Sequence, residues 1–384
     1  MTNAIGPLVP SDEGFSHQIA DTFASVGSSD LGWTEKVCAM AAARDGSLQL
    51  GFGLGKYTNR NVMDCYAGIS RGVEQITVRG SRRLSPQPET TVIGPVRYEV
   101  IEPLQTVRFV LEPNDTQPVA FEWTFEAAVP PFLEDRVHSR SGYRVASELV
   151  RYHQTGTASG WVEIDGLRTQ IDPGAWVSTR DHSWGVRAPA VGQPVTDLEP
   201  NDGLAGVAFQ MIWSPILMER ADGSRYALHL HYQIFEARGF TQKKVEGGIE
   251  QADGRRTRWT DLVPELRFDP ANRRLRGGRI LATAEDGTTH TLEVDAVSET
   301  GFHLGAGLYF GFDGHHHAEW RGKLHVEGER IADCADPAQA RRLHQLRDTV
   351  IHVTDGEDQG WGNCQPMMTG AFPDLGLAAD DSFI

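Results

Sequence analysis

The chain has only four cysteines in 384 residues, Cys38, Cys65, Cys334 and Cys364, and no two form a Cys-x-x-Cys pair. Cysteines so few and so scattered exclude a disulfide scaffold and a zinc knuckle, and read as reduced thiols. No apolar run reaches the 18 residues of a membrane-crossing helix, and Met1–Ser16 lacks the basic-then-apolar pattern of a signal peptide. The expectation is a soluble cytoplasmic protein. Positive charge is short as well: 36 Lys and Arg face 52 Asp and Glu, for a net charge of −16. Such a surface repels a phosphate backbone and an anionic bilayer, so neither nucleic acid nor membrane is an expected partner. Gly51-Phe-Gly-Leu-Gly55-Lys56 lacks the spacing of a phosphate loop, and there is no Gly-x-Ser-x-Gly elbow. No cofactor is expected.

What is present is material for a core, with 40% hydrophobic and 23% charged residues, and a length that suggests two domains. Short strand-like runs occupy Val37–Ala43, Ser47–Gly53, Gln75–Arg79, Val96–Ile101, Thr106–Leu111 and Val119–Ala127. A second block covers Gly206–Trp213, Tyr226–Phe235, Arg255–Trp259, Glu265–Phe268, Arg279–Glu285, Thr288–Val294, His316–His325 and Val350–Thr354. Asp45-Gly46, Asp222-Gly223, Asp253-Gly254, Asp286-Gly287 and Asp313-Gly314 supply hairpin turns. The pattern predicts an all-β sandwich or barrel. Phe15–Phe23 could be a short helix, and Pro337–Arg347, with Asp336 as cap, is the one good helix. The join falls in Ala188–Gly203. A faint repeat sets Gly160–Gly166 and Trp184-Gly185 against Gly322–Gly328 and Trp361-Gly362, which suggests two copies of one unit.

Chemistry concentrates in Val177–Arg187. On an extended strand His182 and Trp184 share one face, and Asp181, Ser183 and Arg187 the other. Asp181 and His182 are candidates for acid–base work; alternatively, Asp181 and Arg187 pair as a lock across the domain junction while Trp184 fills the core. In Tyr226–Phe235, His229, His231 and Gln233 share a face opposite Leu228, Leu230 and Tyr232. If the apolar side packs outward, the polar triplet lines a barrel cavity. His315, His317 and Glu319 have metal-ligand spacing on a strand, but a turn with partly exposed histidines is the preferred reading, and no metal is expected. Trp161, Tyr309, Trp320 and Trp361 are candidate aromatic walls with Glu163 as a carboxylate, and Asn363 and Arg321 could orient a polar group.

Arg180-Asp-His-Ser-Trp-Gly-Val-Arg187 resembles the Asp-His-Ser-Trp-Gly-x-Arg signature of the carotenoid 1,2-hydratase-like, duplicated lipocalin-like family. Gly94-Pro-Val-Arg97, Ser159-Gly-Trp161, Trp320-Arg-Gly322 and Gly360-Trp-Gly362 add to the likeness. Asn363-Cys364-Gln365 departs from it, where an acidic residue is expected. The resemblance implies two lipocalin-like (calycin-like) antiparallel β-barrels side by side. They would span 36–187 and 204–365, between an arm (1–35) and a tail (366–384). Small barrels enclose one small ligand. The expected function is a cofactor-independent lyase, hydratase or isomerase acting on a terpenoid, polyketide, steroid or lignin-like aromatic. His182, His229 and His231, with Asp181, would move protons. Trp184, Tyr232, Gln233, Trp361, Asn363 and Arg187 would bind substrate, and a homodimer is possible. The alternatives are a carrier for an apolar metabolite, or a metal-dependent lyase or hydrolase.

Overall fold

Apolar–polar alternation bounded by Asp-Gly turns favours antiparallel hairpins, and the chain forms them almost throughout. The computed structural model describes residues 8–17, 20–195, 207–237 and 239–378. Strand accounts for 60% and helix for 6%, so the architecture is all-β, in two large antiparallel sheets. The first half supplies β1 (Trp33–Ala43), β2 (Gln49–Tyr57), β3 (Val62–Arg71), β4 (Glu74–Arg83), β5 (Val92–Ile93), β6 (Val96–Glu102), β7 (Thr106–Leu111), β8 (Val119–Ala127), β9 (Phe132–Leu133), β10 (Val137–Ser141), β11 (Arg144–Ile164), β12 (Leu167–Ile171) and β13 (Trp176–Arg187). The second half supplies β14 (Val207–Glu219), β15 (Arg225–Ala237), β16 (Phe240–Gln251), β17 (Arg256–Phe268), β18 (Leu275–Ala284), β19 (Thr289–Ala296), β20 (Phe302–His303), β21 (Leu324–Ile331), β22 (Arg347–Asp355) and β23 (Asp358–Thr369).

In the second sheet β14 to β19 follow one another, and β23 and β22 continue from the other side of β14. Pairing of β19 with β22 joins the two ends, so eight strands form a closed antiparallel ring. Its interior holds Leu228, Leu230, Tyr232, Leu262 and Leu292. The first sheet runs β21-β4-β3-β2-β1-β13-β11-β8-β7-β6-β5. It curls around Phe52, Phe109, Phe121, Trp123 and Phe125, all fully buried.

Several expectations are corrected. The strand expected at His316–His325 is instead Leu324–Ile331, and it leaves its own half to pair with β4. Asp313 and Ala318 take positive φ, which breaks extended pairing around the three histidines. The helix stops at Leu343, and Arg347 opens β22. Asp336 does cap it, accepting from the backbone N–H of Ala338 and Gln339. Arg255–Trp259 and Glu265–Phe268 are parts of one strand, β17. The sequence pattern missed β3 because it is buried on both faces and shows no alternation. Phe15–Phe23 is not helical at its described residues; 18–19 lie outside them, as do 196–203 of the expected join.

Half of the faint repeat has a structural basis. β13 and β23 are the equivalent last strands, each returning to the first strand of its sheet, β1 and β14. Gly185 and Gly362 sit where a Cβ would lie 2.2 Å from the Glu148 carbonyl oxygen and 2.1 Å from that of Pro215. The glycine is thus required by close strand approach at both places. Gly160–Gly166 and Gly322–Gly328 are not equivalent, since β21 is an edge strand of the first sheet.

The sheets pack through Met40, Ala42 and Val177 against Leu217 and Val350. Arg44 forks onto Glu219 at 2.7 and 2.9 Å and covers the Trp361 ring at 4.4 Å. Trp361 is therefore part of this brace. Phe302, Leu304, Tyr309 and Leu346 pack against Tyr66 on the outer face of the first sheet.

Candidate functional site

Strand alternation sorts the signature residues onto two faces as the sequence implies. On β13, Arg180 and His182 face into the first sheet. There Arg180 donates to Gln154 Oε1 at 2.6 Å, and His182 contacts the Tyr152 hydroxyl at 3.3 Å and Glu35 at 3.1 Å. Trp184 stands edge-on to His182 at 5.6 Å. Asp181 and Arg187 face the other way, toward the second sheet, so Asp181 and His182 form no dyad.

The face that carries Asp181 is a buried polar junction. Asp181 pairs across from Cys38 on β1 and His153 on β11. Its charge acts on Lys36, Cys38 and Tyr309 on one side, on Asp348 on another and on Arg151 on a third. Burial raises its carboxyl above the usual range despite Arg151 and Arg187. The lock between Asp181 and Arg187 does not form: among the described residues neither has an ion-pair partner. Arg187 instead stands 5.9 Å from the Tyr309 ring.

Three groups surround this carboxyl. In the first, the Lys36 ammonium donates to His317 Nε2 at 2.7 Å, and His317 Nδ1 meets Asp64 at 3.1 Å. Burial, then Lys36, push His317 down to about 4, so the imidazole is neutral and accepts. Tyr309 lies 3.1 Å from the Cys38 sulfur, whose thiol burial pushes up to about 11. In the second, Asp348 accepts from Asn363 at 2.9 Å and Gln365 at 2.6 Å, while Thr179 donates to Asn363 at 2.6 Å. Burial raises Asp348 to about 6, and the Asp181 charge adds to the rise.

The third group joins the two sheets. Glu134, just beyond β9, accepts from Arg151 on its Oε2 at 2.5 and 2.9 Å and from Trp213 on its Oε1 at 3.0 Å. His153 touches Glu134 at 3.1 Å and Glu250 at 2.9 Å. Burial works against its charged form, but Glu250 and Glu134 outweigh it and hold His153 up at about 9. His229 stacks on His153 with ring centroids 3.6 Å apart. His231 lies 3.2 Å from Glu246 and 3.0 Å from Gln233. Burial and the neighbouring His153 keep His229 well below the usual imidazole range.

The barrel-lining reading of His229, His231 and Gln233 is therefore reversed. Leu228, Leu230 and Tyr232 fill the second ring, and the polar triplet faces out, against β11. Tyr232 is core and reaches no part of the junction described above. His182 is separated from His229 and His231 by the thickness of β13, so the three expected proton carriers do not converge. His315 bonds to Glu319 at 2.9 Å, whereas His317 belongs with Asp64 and Lys36, so the proposed ligand trio is split. The residues missed were Lys36, Glu134, Arg151, His153, Glu246, Glu250 and Asp348. Only Arg151 and His153 gave a signal, two polar residues on alternate positions of a strand.

No helix among the described residues is long and apolar enough to cross a membrane. No curated protein matches the chain. Among solved structures, kievitone hydratase from Nectria haematococca is 11% identical, with TM-score 0.40 and coverage of 95% of this chain and 94% of that one. CghA with Sch210972 is 10% identical, with TM-score 0.45 and 88% of each chain covered. Likeness at that level lends this chain neither substrate nor reaction. The profile of DUF8625, a family of unknown function, matches residues 8–378, and the chain belongs to that family.

Proposed function

We propose that the junction around Asp181 is an active site for general acid–base chemistry on a small, largely hydrophobic molecule bearing an oxygen: loss or addition of water, or isomerisation. The observation that carries this reading is a partly buried carboxyl with no partner, biased toward its protonated form, beside an arginine that also lacks a carboxylate. Two groups of opposite character, each without an ion-pair partner, are placed for a ligand rather than for each other. In the eliminating direction Asp181 gives its proton to a leaving hydroxyl, which departs as water as the carbon–oxygen bond breaks. Asp348, ionised above about pH 6, takes the proton from the adjacent carbon as the double bond forms. Arg187 and the Tyr309 hydroxyl hold a second oxygen. Hydration is the reverse.

The test is turnover of a panel of hydroxylated and unsaturated terpenoids, polyketides, steroids and aromatics, read by mass spectrometry as gain or loss of water, or as deuterium uptake for isomerisation. Asp181→Asn should lower the rate at least about a hundredfold, the usual contribution of a positioned acid. A folded Asp181→Asn protein with the wild-type rate sinks the proposal. A compound that wild type binds but never changes points instead to a carrier.

A further inference from the structure

We propose that Glu134, His153 and His229 bind one divalent first-row transition-metal cation at the junction of the two sheets. The proposal is independent of the reaction assigned to Asp181. All three side chains are buried, the two histidines completely, and their ligand atoms lie within 4.8 Å of one another.

His229 is the observation that calls for a ligand. Neither of its ring nitrogens has a hydrogen-bond partner, although the residue is fully buried. A buried polar group left so calls for a partner, and a bound ion is one that can serve. Its Nε2 lies 3.6 Å from Glu134 Oε1, too far for a good hydrogen bond. His153 Nδ1 lies 3.1 Å from the same oxygen. Atoms bound to a tetrahedral ion at about 2.0–2.1 Å stand about 3.3 Å from each other, so these separations suit ligands of a shared cation; binding it requires the His229 ring to turn off its stack on His153 so that the two ring planes meet at the ion.

The surroundings are those of a metal site. The second nitrogen of His153 meets Glu250 at 2.9 Å, the carboxylate–histidine arrangement that fixes a metal-binding imidazole. Arg256 in turn holds Glu250 at 2.5 Å. On Glu134, Arg151 occupies Oε2, while Oε1 accepts from the Trp213 indole at 3.0 Å and keeps its second lone pair for a cation. Two imidazoles and one carboxylate form a borderline donor set that suits zinc or iron and leaves positions open. The other buried group, Glu134 with His231 and Glu246, is the weaker candidate, because Lys244 sits 2.9 Å from Glu246 and supplies the positive charge there.

The experiment uses the full chain, stripped with a chelator and titrated with zinc by calorimetry, and with cobalt followed by its visible spectrum. One equivalent per chain is expected, with a cobalt spectrum of nitrogen and oxygen ligation. His229→Ala should weaken zinc binding at least about a hundredfold, and Glu250→Gln about 10–100-fold, as outer partners do. His315→Ala should change nothing. Should His229→Ala fail to fold, Glu250→Gln keeps all three ligands and still reports. The proposal is overturned if wild type takes up less than a tenth of an equivalent. It is equally overturned if Glu250→Gln binds as wild type does, or if His315→Ala abolishes uptake, which would place the ion on the surface histidines.

Discussion

Asp348→Asn should make the protein more stable above neutral pH. Asp348 is 5% exposed, and burial lifts its carboxyl from 3.8 to about 6. A carboxyl raised in the folded state favours folding most below its unfolded value, and that contribution is lost as pH rises through the folded value. A rise of that size corresponds to a full loss of about 3 kcal/mol. Between about pH 4.5 and about pH 7.5 the expected change is about 2 kcal/mol. Asparagine keeps an oxygen to accept from Asn363 and Gln365, and it carries no charge to bury. Urea unfolding of both proteins across this range isolates the effect, because every other titrating group is common to them. The variant should gain on wild type by about 2 kcal/mol from the acid to the alkaline end. Asp181→Asn should move the wild-type window to lower pH, since the Asp181 charge is one cause of the rise. A difference between the two proteins that stays flat across the range would show that Asp348 does not titrate near 6, and would remove it as the base proposed above.

Glu134→Gln should destabilise the protein by about 3–5 kcal/mol, because it leaves Arg151 with no carboxylate in a buried setting; unfolding midpoints in urea measure it, and a loss under about 1 kcal/mol would mean the junction is wetter than it looks. Gly185→Ala places a Cβ 2.2 Å from the Glu148 carbonyl oxygen at a φ of +132°, and should cost roughly 1–3 kcal/mol from the backbone alone, read as a lowered Tm. His182→Ala should remove less than about 2 kcal/mol, since its bonds to Tyr152 and Glu35 are partly exposed. It should also slow turnover far less than Asp181→Asn; equal loss in the two variants would move the active site to the inner face of the first sheet.

How far the chain could be read without its structure follows from what alternation can and cannot say. It told correctly that Asp181 and Arg187 share a face, and that His229, His231 and Gln233 share another. Which face turns inward was decided by the apolar partners. Leu228, Leu230 and Tyr232 gain more from the ring interior than two histidines and a glutamine could. The polar triplet was thereby driven outward to meet charged partners from β11, β16 and Glu134 just after β9. Glu134 could not be foreseen, because it follows a two-residue strand with no periodicity around it. Asp348 was hidden by a helix expected to run to Arg347; the turn after Leu343 starts β22 in its place. The antiparallel hairpins of the second sheet were legible from Asp-Gly turns, which left sandwich and barrel open; the closure of β19 on β22 was not. The departure of β21 to the first sheet was not, since strand residues carry no mark of the edge they will join. Local pattern thus determined faces, while the choice of partner sheet determined the site. Asp181, whose neighbours come from both halves of the chain, owes its unpaired state to that choice.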